Sequence, residues 1–456
     1  MAKLTEKIGY GMGDMASSMF WKIFSYYLPI FYSDVFNLSL THTATLMFVT
    51  RVWDTVSDPM MGAISDRTET RWGKYRPYLL WFSLPFAISG VLLFSTPDCG
   101  EQGRLVYAYV TYILMMTVYT GINVPYASML GVMTDDSYEK TVFSSYRMFF
   151  AYGGSFIALY SWEPLCKLFI DYQPLFPVNS LSDAWQGAMI VIALTCFLLF
   201  IGCFLLTREH IKFERGDNLM NDFRSLVRNF PWWIITGAAL CTNLFNTVRG
   251  ATVAYYFKYY IGADTSIDLG FASFLFFAGL FLAIGEVCNM VGVVLAMPLS
   301  KRLGKKTTFL FSSVMMGILS IAFFYLPVTN SGFVCMLLLQ IVISIFTGVV
   351  SPLVWSMYAD VADYSYYKHG TASTALIFSS GSMAQKFGGA IAGSAVLVLF
   401  SAFGLQPNSV NQTADAICGM KLAMSYIPAA ISVLMVVLMF VYPLTTEKIR
   451  EMKTSW

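Results

Sequence analysis

Twelve long apolar segments dominate this chain of 456 residues. A helix needs about 20 mostly apolar residues to cross the hydrocarbon core of a bilayer. Only 12% of the residues are charged, whereas soluble domains have about 25%. The sequence therefore predicts an all-α membrane protein with twelve transmembrane helices. The segments cover residues 10–36, 41–65, 76–97, 104–132, 142–170, 184–206, 231–261, 270–299, 307–328, 332–358, 371–403 and 417–443.

The lysine and arginine residues outside these segments are unevenly distributed. Most lie in one alternating set of connections and at the two termini, and few lie in the other set. Because cytoplasmic loops carry the excess of basic residues, we expect both termini to lie in the cytoplasm. The protein itself is expected in the cell (inner) membrane. No interleaving of basic and aromatic residues suggests a nucleic-acid partner. The bilayer is an expected partner, and a monomer is compatible with the sequence.

The longest cytoplasmic connection, residues 207–229, divides the chain into a half at 1–206 and a half at 230–456, each with six segments. A basic loop containing Gly-Lys follows the second segment of each half, around Lys74 and around Lys305. Two parallel six-helix halves are the plan of the major facilitator fold, with the substrate near the midplane between them. The position shared by the two basic loops favours this plan over loops that merely follow the orientation rule.

Three charged residues lie within eight positions of the second segment. Arg51, Asp54 and Asp58 share one stripe of a helix, since they are three and four residues apart. A charge at the centre of a bilayer costs about 2.5–3.5 kcal/mol on insertion scales, so such groups usually face a bundle interior and serve a function. The two carboxylates, with Ser57 between them, offer hard oxygen ligands for a small cation. A purely structural ion-pair stripe is the alternative.

Several motifs resemble the glycoside–pentoside–hexuronide:cation symporters, and the likeness covers most of the chain. They are Gly9-Tyr-Gly-Met-Gly-Asp14, Phe31-Tyr-Ser-Asp34-Val, Arg51-Val-Trp-Asp54…Asp58-Pro59, Arg71-Trp-Gly-Lys74, Tyr255-Tyr-Phe257 and Ala359-Asp-Val-Ala-Asp-Tyr364. The resemblance implies secondary uptake of a sugar driven by Na⁺, H⁺ or Li⁺. It also implies a cation site formed by Asp54, Ser57, Asp58 and Thr120.

The same resemblance implies sugar contacts at Tyr119, Arg147 and Lys386. The two positions that hold galactoside-binding aspartates in the melibiose permeases of this family are Ser18 and Asn123 here, so galactoside transport does not follow. The residues themselves add Lys22, Arg249 and Trp355 as substrate-binding candidates, with Trp53 a further candidate for the aromatic face. Lys22 could instead pair with Asp54 or Asp58, and Glu286 could neutralise Arg249 or Lys386.

Four basic groups near the expected cavity, Lys22, Arg147, Arg249 and Lys386, favour an anionic ligand. An acidic sugar such as a hexuronide, or a sulfonated sugar, is therefore one expectation. A neutral xyloside, glucoside or short oligosaccharide is the other, with the basic residues tied up in ion pairs. An inner gate is expected between one cluster of basic residues and one pair of acids. These residues are Arg67, Arg71, Lys74, Arg76, Asp360 and Asp363.

No catalytic motif and no ATP-binding loop stands out, so an enzyme is not expected, nor a cofactor other than the coupling cation Na⁺ or H⁺. An enzyme acting on lipid-linked sugars lacks a convincing carboxylate- or histidine-rich site. A non-transporting sugar sensor usually needs a large soluble output domain, and no connection here is long enough to be one.

Overall fold

The computed structural model describes residues 3–98, 100–134, 137–171, 181–210, 228–262, 265–268, 273–369, 374–409, 411–445 and 448–449. Two compact units divide the chain, the first at Met1–Glu214 and the second at Arg215–Trp456. Both consist of long helices.

The first unit contains six long helices. The side chain of Ser39 accepts the backbone N–H of His42 and so begins the second of them. The first is extended by a short turn, Leu28–Ile30, and by a π-helical turn, Phe31–Val35. The helices are α1 (Leu4–Tyr26), α2 (Leu40–Asp66), α3 (Arg76–Leu93), α4 (Gly100–Met133), α5 (Ser137–Asp171) and α6 (Leu181–Leu206).

In this unit α1 packs against α5 and α6, and α4 packs against α2 and α3. The crossing of α1 and α5 is close, because a Cβ atom at Gly154 would collide with the backbone carbonyl of Met15. Small residues allow helix backbones to approach in this way in membranes. The pairing of α4 with α2 places the middle of both helices side by side, which is where the charged stripe of α2 lies.

The described part of the second unit has seven helices and a two-stranded antiparallel ribbon. The helices are α7 (Phe230–Tyr256, extended by a π-helical turn at Phe257–Ile261), α8 (Ala278–Leu303), α9 (Lys305–Phe323), α10 (Asn330–His369), α11 (Thr374–Ala402), α12 (Ala414–Met424) and α13 (Tyr426–Val441). The strands are β1 (Ser266–Asp268) and β2 (Ser273–Leu275), with Ile267 opposite Phe274.

Two boundaries differ from the sequence prediction. The segment expected to begin a helix at residue 270 has β2 at Ser273–Leu275, and its helix begins at Ala278. The apolar character of Phe274 is used in the ribbon. The last predicted segment, 417–443, is two helices that break at Ser425. Hydropathy alone does not register either feature, because the residues stay apolar throughout.

Helices α8 and α10 are in backbone contact, since a Cβ atom at Gly292 or at Gly348 would collide with a carbonyl of the facing helix. The core of the unit is formed by α7, α10, α11 and α13 with buried aliphatic and aromatic side chains, among them Phe245, Met357 and Met435.

Eight of the spans among the described helices are long and apolar enough to cross a membrane: α3, α4, α6, α8, α9, α10, α11, and α12 together with α13. Among the remaining long helices, α1, α2 and α5 each carry several charged residues within their length. These three helices carry half of the residues predicted to bind the cation or the substrate.

Candidate functional site

The four residues predicted to bind the cation meet where α2 and α4 pack together. The Thr120 hydroxyl lies 3.0 Å from Asp54 Oδ1 and 3.1 Å from Asp58 Oδ1. The Ser57 hydroxyl lies 3.2 Å from that of Thr120 and donates to the backbone carbonyl of Asp54 at 3.1 Å. Asp54 is completely buried, and Ser57 and Thr120 are buried as well.

The hydrogen bonds of this cluster place two carboxylates around one hydroxyl group. A hydroxyl carries a single hydrogen, so Thr120 donates to Asp54 or to Asp58 but not to both at once. The second O···O contact is then repulsive unless a proton or a cation neutralises it. A set of carboxylate and hydroxyl oxygens is the kind that hard cations prefer. The cluster therefore has the chemistry to take up Na⁺ or H⁺.

Transition-metal chemistry does not fit the same residues. Among the described residues, no group of three or more histidine, cysteine, aspartate or glutamate side chains lies close enough to hold a metal ion.

Arg147 on α5 has an acidic partner on α1 that the sequence reasoning did not assign. Its Nε donates to Asp14 Oδ2 at 2.9 Å, and its guanidinium group lies 5.5 Å from the ring centre of Tyr126. The Arg147 side chain is 36% exposed and that of Asp14 is 16% exposed. Asp14, Ser18 and Lys22 are four residues apart on one stripe of α1, so their spacing was a signal for Asp14.

Ser17, rather than Ser18, contacts the polar residue of α4. The Ser17 hydroxyl lies 3.0 Å from Asn123 Oδ1 and is also 3.1 Å from the carbonyl of Gly13. Ser17 is buried, whereas Ser18 is half-buried. The role of Ser18 as a substrate-binding residue stays a prediction, and Ser17 is a polar residue of α1 that the sequence reasoning did not assign.

Tyr119 and Lys22 lie on either side of an aromatic group on α1. The Tyr119 ring is 5.4 Å from that of Trp21 and 6.1 Å from that of Phe86. The Lys22 Nζ lies 3.4 Å from the Tyr26 hydroxyl. Trp53, the alternative aromatic candidate, is 37% exposed and donates its Nε1 hydrogen to Thr117. Its indole N–H therefore has an acceptor within the protein and does not need one from a sugar.

In the second unit, Arg249 is fully engaged by protein acceptors. Its Nη1 donates to the backbone carbonyl of Met424 at 2.9 Å and its Nη2 to Gln340 Oε1 at 2.8 Å. The guanidinium group is also 5.3 Å from the ring centre of Phe323, and the residue is only 6% exposed. Met424 ends α12 at the helix break, so Arg249 satisfies a carbonyl that has lost its helical partner. Two of its N–H groups are thus used within the protein, and a role of Arg249 toward a substrate stays a prediction.

The other two substrate candidates of this unit, Trp355 and Lys386, are half-buried. The Trp355 ring lies 5.8 Å from that of Tyr358 on the same helix. Both stay predictions.

Two of the residues predicted to form an inner gate, Arg76 and Asp360, have partners inside their own units. The loop before α3 is held by Glu209, whose Oε1 accepts the backbone N–H of Tyr75 and of Arg76 at 2.7 and 2.8 Å. Arg76 donates to the carbonyl of Phe204 at 2.7 Å. Arg67 and Arg71 are exposed, and Lys74 is half-buried.

In the second unit, Asp360 forms an ion pair with Lys305 at 2.6 Å and is buried. Lys305 was not assigned this role from the sequence. The side chain of Asp363 lies outside the described residues.

A bundle of long apolar helices with a buried carboxylate pair in its polar part defines a multi-pass membrane transporter of the major facilitator type. The crystal structure of nucleoside transporter NupG shares this fold with a TM-score of 0.65 at 13% identity, covering 96% of this chain and 100% of that chain. At that identity the likeness concerns the fold alone.

Sequence comparison identifies the family. The model of the family described as MFS/sugar transport protein matches residues 9–446. The putative glycoside/cation symporter YagG of Escherichia coli (strain K12) is 33% identical over 98% of this chain and 94% of its own length. The chain therefore belongs to the glycoside–pentoside–hexuronide:cation symporter family, which is a family of transporters and not of enzymes.

Two further relatives show how the family varies in its sugars. The isoprimeverose transporter of Lactiplantibacillus pentosus is 29% identical over 94% of this chain and 86% of its own length. The glucuronide carrier protein homolog of Escherichia coli (strain K12) is 29% identical over 97% of this chain and 93% of its own length.

Proposed function

We propose that the protein takes up a sugar or glycoside by symport with Na⁺ or H⁺, through alternating access of two six-helix halves. The observation that carries this proposal is the convergence of Asp54 and Asp58 on the single hydroxyl of Thr120, at 3.0 and 3.1 Å. Asp54 is buried and Asp58 is half-buried, so their two negative charges are costly until a cation or a proton joins them.

The topology belongs to the proposal. We place twelve spans in the cell (inner) membrane, with both termini in the cytoplasm. The distribution of basic loops supports this orientation. Residues 1–206 and 230–456 are then the halves that move, and residues 207–229 link them. In this mechanism the gate residues act with partners that change between states. Lys305 is one partner of Asp360.

Coupling follows from charge. Cation binding removes the repulsion between Asp54 and Asp58, so the cation-loaded site is lower in energy than the empty site. A substrate that binds only after the charge is neutralised shifts the protein toward its loaded state, and each ligand raises the affinity for the other by the same factor.

For the substrate we propose an acidic sugar, such as a hexuronide or a sulfonated sugar. Lys22 on α1 and Arg147 on α5 are basic side chains of the same unit as the cation cluster, and a relative is named a glucuronide carrier protein homolog. A neutral glycoside is the second candidate, supported by the relative named an isoprimeverose transporter and by the pairing of Arg147 with Asp14.

Proteoliposomes test the function. Purified protein should accumulate a labelled glycoside above its external concentration when an inward Na⁺ or H⁺ gradient is imposed, and ionophores that collapse the gradient should abolish accumulation. A panel of uronides and their neutral counterparts should be tried under both gradients. Equilibration without accumulation for every sugar under both gradients contradicts the proposal.

A further inference from the structure

Arg51, in the middle of α2, is the residue whose surroundings the cation site does not explain. Its side chain is buried, with 7% of the residue exposed. Its Nη1 has no hydrogen-bond partner among the described residues, and no ion pair of Arg51 is found among them either. A buried N–H of a charged group without an acceptor is unfavourable, so Nη1 of Arg51 has a hydrogen bond to offer.

What holds Arg51 in place is an aromatic surface. Its guanidinium carbon lies 4.1 Å from the ring centre of Trp21 on α1, and Trp21 in turn rests on Tyr119 at 5.4 Å. Stacking uses the flat face of a guanidinium group, whereas its N–H bonds lie in the plane and point outward at the edge. The contact with Trp21 therefore orients the guanidinium group without using any of its N–H donors.

Other polar groups nearby meet partners within the protein. Asp54 Oδ1, one turn further along α2, lies 3.0 Å from the Thr120 hydroxyl, and Asp14 accepts Arg147 at 2.9 Å. Arg249, a buried arginine that was predicted to meet a substrate, donates from each of its Nη atoms within the protein. The geometry points to Arg51, positioned by Trp21, as the residue that binds the carboxylate or sulfonate of an acidic sugar.

The charges of the first unit agree with an anionic group bound in this way. The charged residues on α1, α2 and α5 that surround the cation cluster and Trp21 sum to zero; they are Lys22, Arg51, Arg147, Asp14, Asp54 and Asp58. A monovalent cation at Asp54 and Asp58 leaves one positive charge in excess, which one carboxylate balances. The bound cation would thus supply the excess positive charge that attracts an anionic substrate. This gives an electrostatic reason for transporting the two in the same cycle.

This inference rests on the proposed function for its substrate, and it makes a separate claim about which residue distinguishes acidic from neutral sugars. A fork of two N–H groups matches the two oxygens of a carboxylate, which a neutral hydroxymethyl group cannot replace. Lys22, by contrast, would act through its charge alone, so its removal provides a matched comparison.

The experiment measures the binding of sugars to purified protein at saturating Na⁺. Each acidic sugar is paired with its neutral counterpart: methyl β-D-glucuronide with methyl β-D-glucoside, and methyl β-D-galacturonide with methyl β-D-galactoside. We expect wild-type protein to prefer at least one uronide over its neutral partner. Arg51→Gln should weaken binding of that uronide by about 10- to 100-fold, the range for a charged hydrogen bond, and change binding of the neutral sugar by less than about 3-fold. Lys22→Gln should have a smaller effect on the uronide than Arg51→Gln.

Trp21 provides an independent variant in case Arg51→Gln does not fold. Trp21→Leu should weaken uronide binding because the guanidinium group loses its support, and Trp21→Phe should retain most of it. Equal losses for acidic and neutral sugars in these variants, or a wild-type protein that prefers no uronide, overturn the inference. If a neutral glycoside is nevertheless accumulated in proteoliposomes, the proposed symport stands without it. If nothing is accumulated and the binding selectivity still depends on Arg51, the symport fails and the recognition site stands.

Discussion

The carboxylate of Glu209 accepts the backbone N–H of Lys74 at 2.8 Å, which joins the end of α6 to the loop before α3. The same carboxylate accepts the N–H groups of Tyr75 and Arg76. These are the unpaired amides at the start of a helix, so Glu209 acts as a helix cap supplied from another part of the chain. Gly73, with φ of 115°, lies so close to this carboxylate that a Cβ atom would collide with it.

Replacing Glu209 tests this connection. Glu209→Ala removes the acceptor of three amides, and we expect a loss of about 1–2 kcal/mol in the free energy of unfolding. Glu209→Gln keeps one acceptor oxygen and should lose less. The melting temperature of the protein in detergent measures both. Because the cap lies outside the sugar and cation sites, binding of Na⁺ should be unchanged, and a Glu209→Ala protein as stable as wild type contradicts the assignment.

Removing one carboxylate of the cation cluster tests the coupling. Asp54→Asn and Asp58→Asn should each abolish accumulation driven by a cation gradient, since either change removes a ligand and the repulsion that the cation relieves. The proteins should remain folded, because burying one charge fewer lowers the cost of the site. Proteoliposome uptake with the purified variants measures the first effect and size-exclusion chromatography the second. Uphill transport retained in both variants places the cation elsewhere.

Thr120 gives a finer test of the same cluster. Thr120→Ser retains the hydroxyl between the two carboxylates, and Thr120→Val replaces it by a methyl group of similar shape. We expect the apparent Na⁺ affinity to fall by about 10-fold or more in Thr120→Val, the equivalent of one hydrogen bond to a charged group, and to change little in Thr120→Ser. The dependence of sugar uptake on Na⁺ concentration measures it. Equal affinities in the two variants exclude the hydroxyl as a ligand.

The pair of Arg147 and Asp14 is accessible to a double-mutant cycle. Arg147→Gln leaves Asp14, which is 16% exposed, without its charged donor, and Asp14→Asn leaves Arg147 without its acceptor. If the pair acts as a unit, the double variant should be more stable than the two single effects add up to, by roughly 0.5–3 kcal/mol. Thermal unfolding of the four proteins measures this coupling. Additive effects show that the contact contributes nothing to stability.

The sequence was sufficient for the helical membrane architecture and for the cation cluster, because both depend on short-range patterns. Apolar length identifies a span, and Asp54, Ser57 and Asp58 share one face of a single helix. Only Thr120 had to come from elsewhere in the chain, and it followed from the family resemblance.

What the sequence did not reveal depends on which faces of two helices meet. Ser17 and Ser18 are neighbours in sequence, and only packing of α1 on α4 decides that Ser17 contacts Asn123. The partner of Asp360 lies 55 residues away at Lys305, in a loop whose basic residues were explained by membrane orientation. The break at Ser425 is followed by Pro428, which has no N–H for the Met424 carbonyl. The donor that replaces it, Arg249, lies in a distant segment, and so its role could not be read from the sequence.

Arg249 and this break give the last prediction. Arg249→Met removes the donor to the Met424 carbonyl and to Gln340, two buried acceptors that no water can easily reach. We expect the free energy of unfolding to fall by about 2–4 kcal/mol, roughly 1–3 kcal/mol for each unsatisfied acceptor with partial relaxation. Lys421→Gln is the matched control: it removes a basic residue from α12 whose ammonium group lies 4.6 Å from the ring centre of Phe324, and an exposed cation–π contact contributes only about 0.5–1 kcal/mol. The preference between acidic and neutral sugars should be the same in Arg249→Met as in wild type, because the N–H groups that the structure assigns donate to Met424 and Gln340 within the protein. A variant of normal stability with altered sugar preference would return Arg249 to the substrate site.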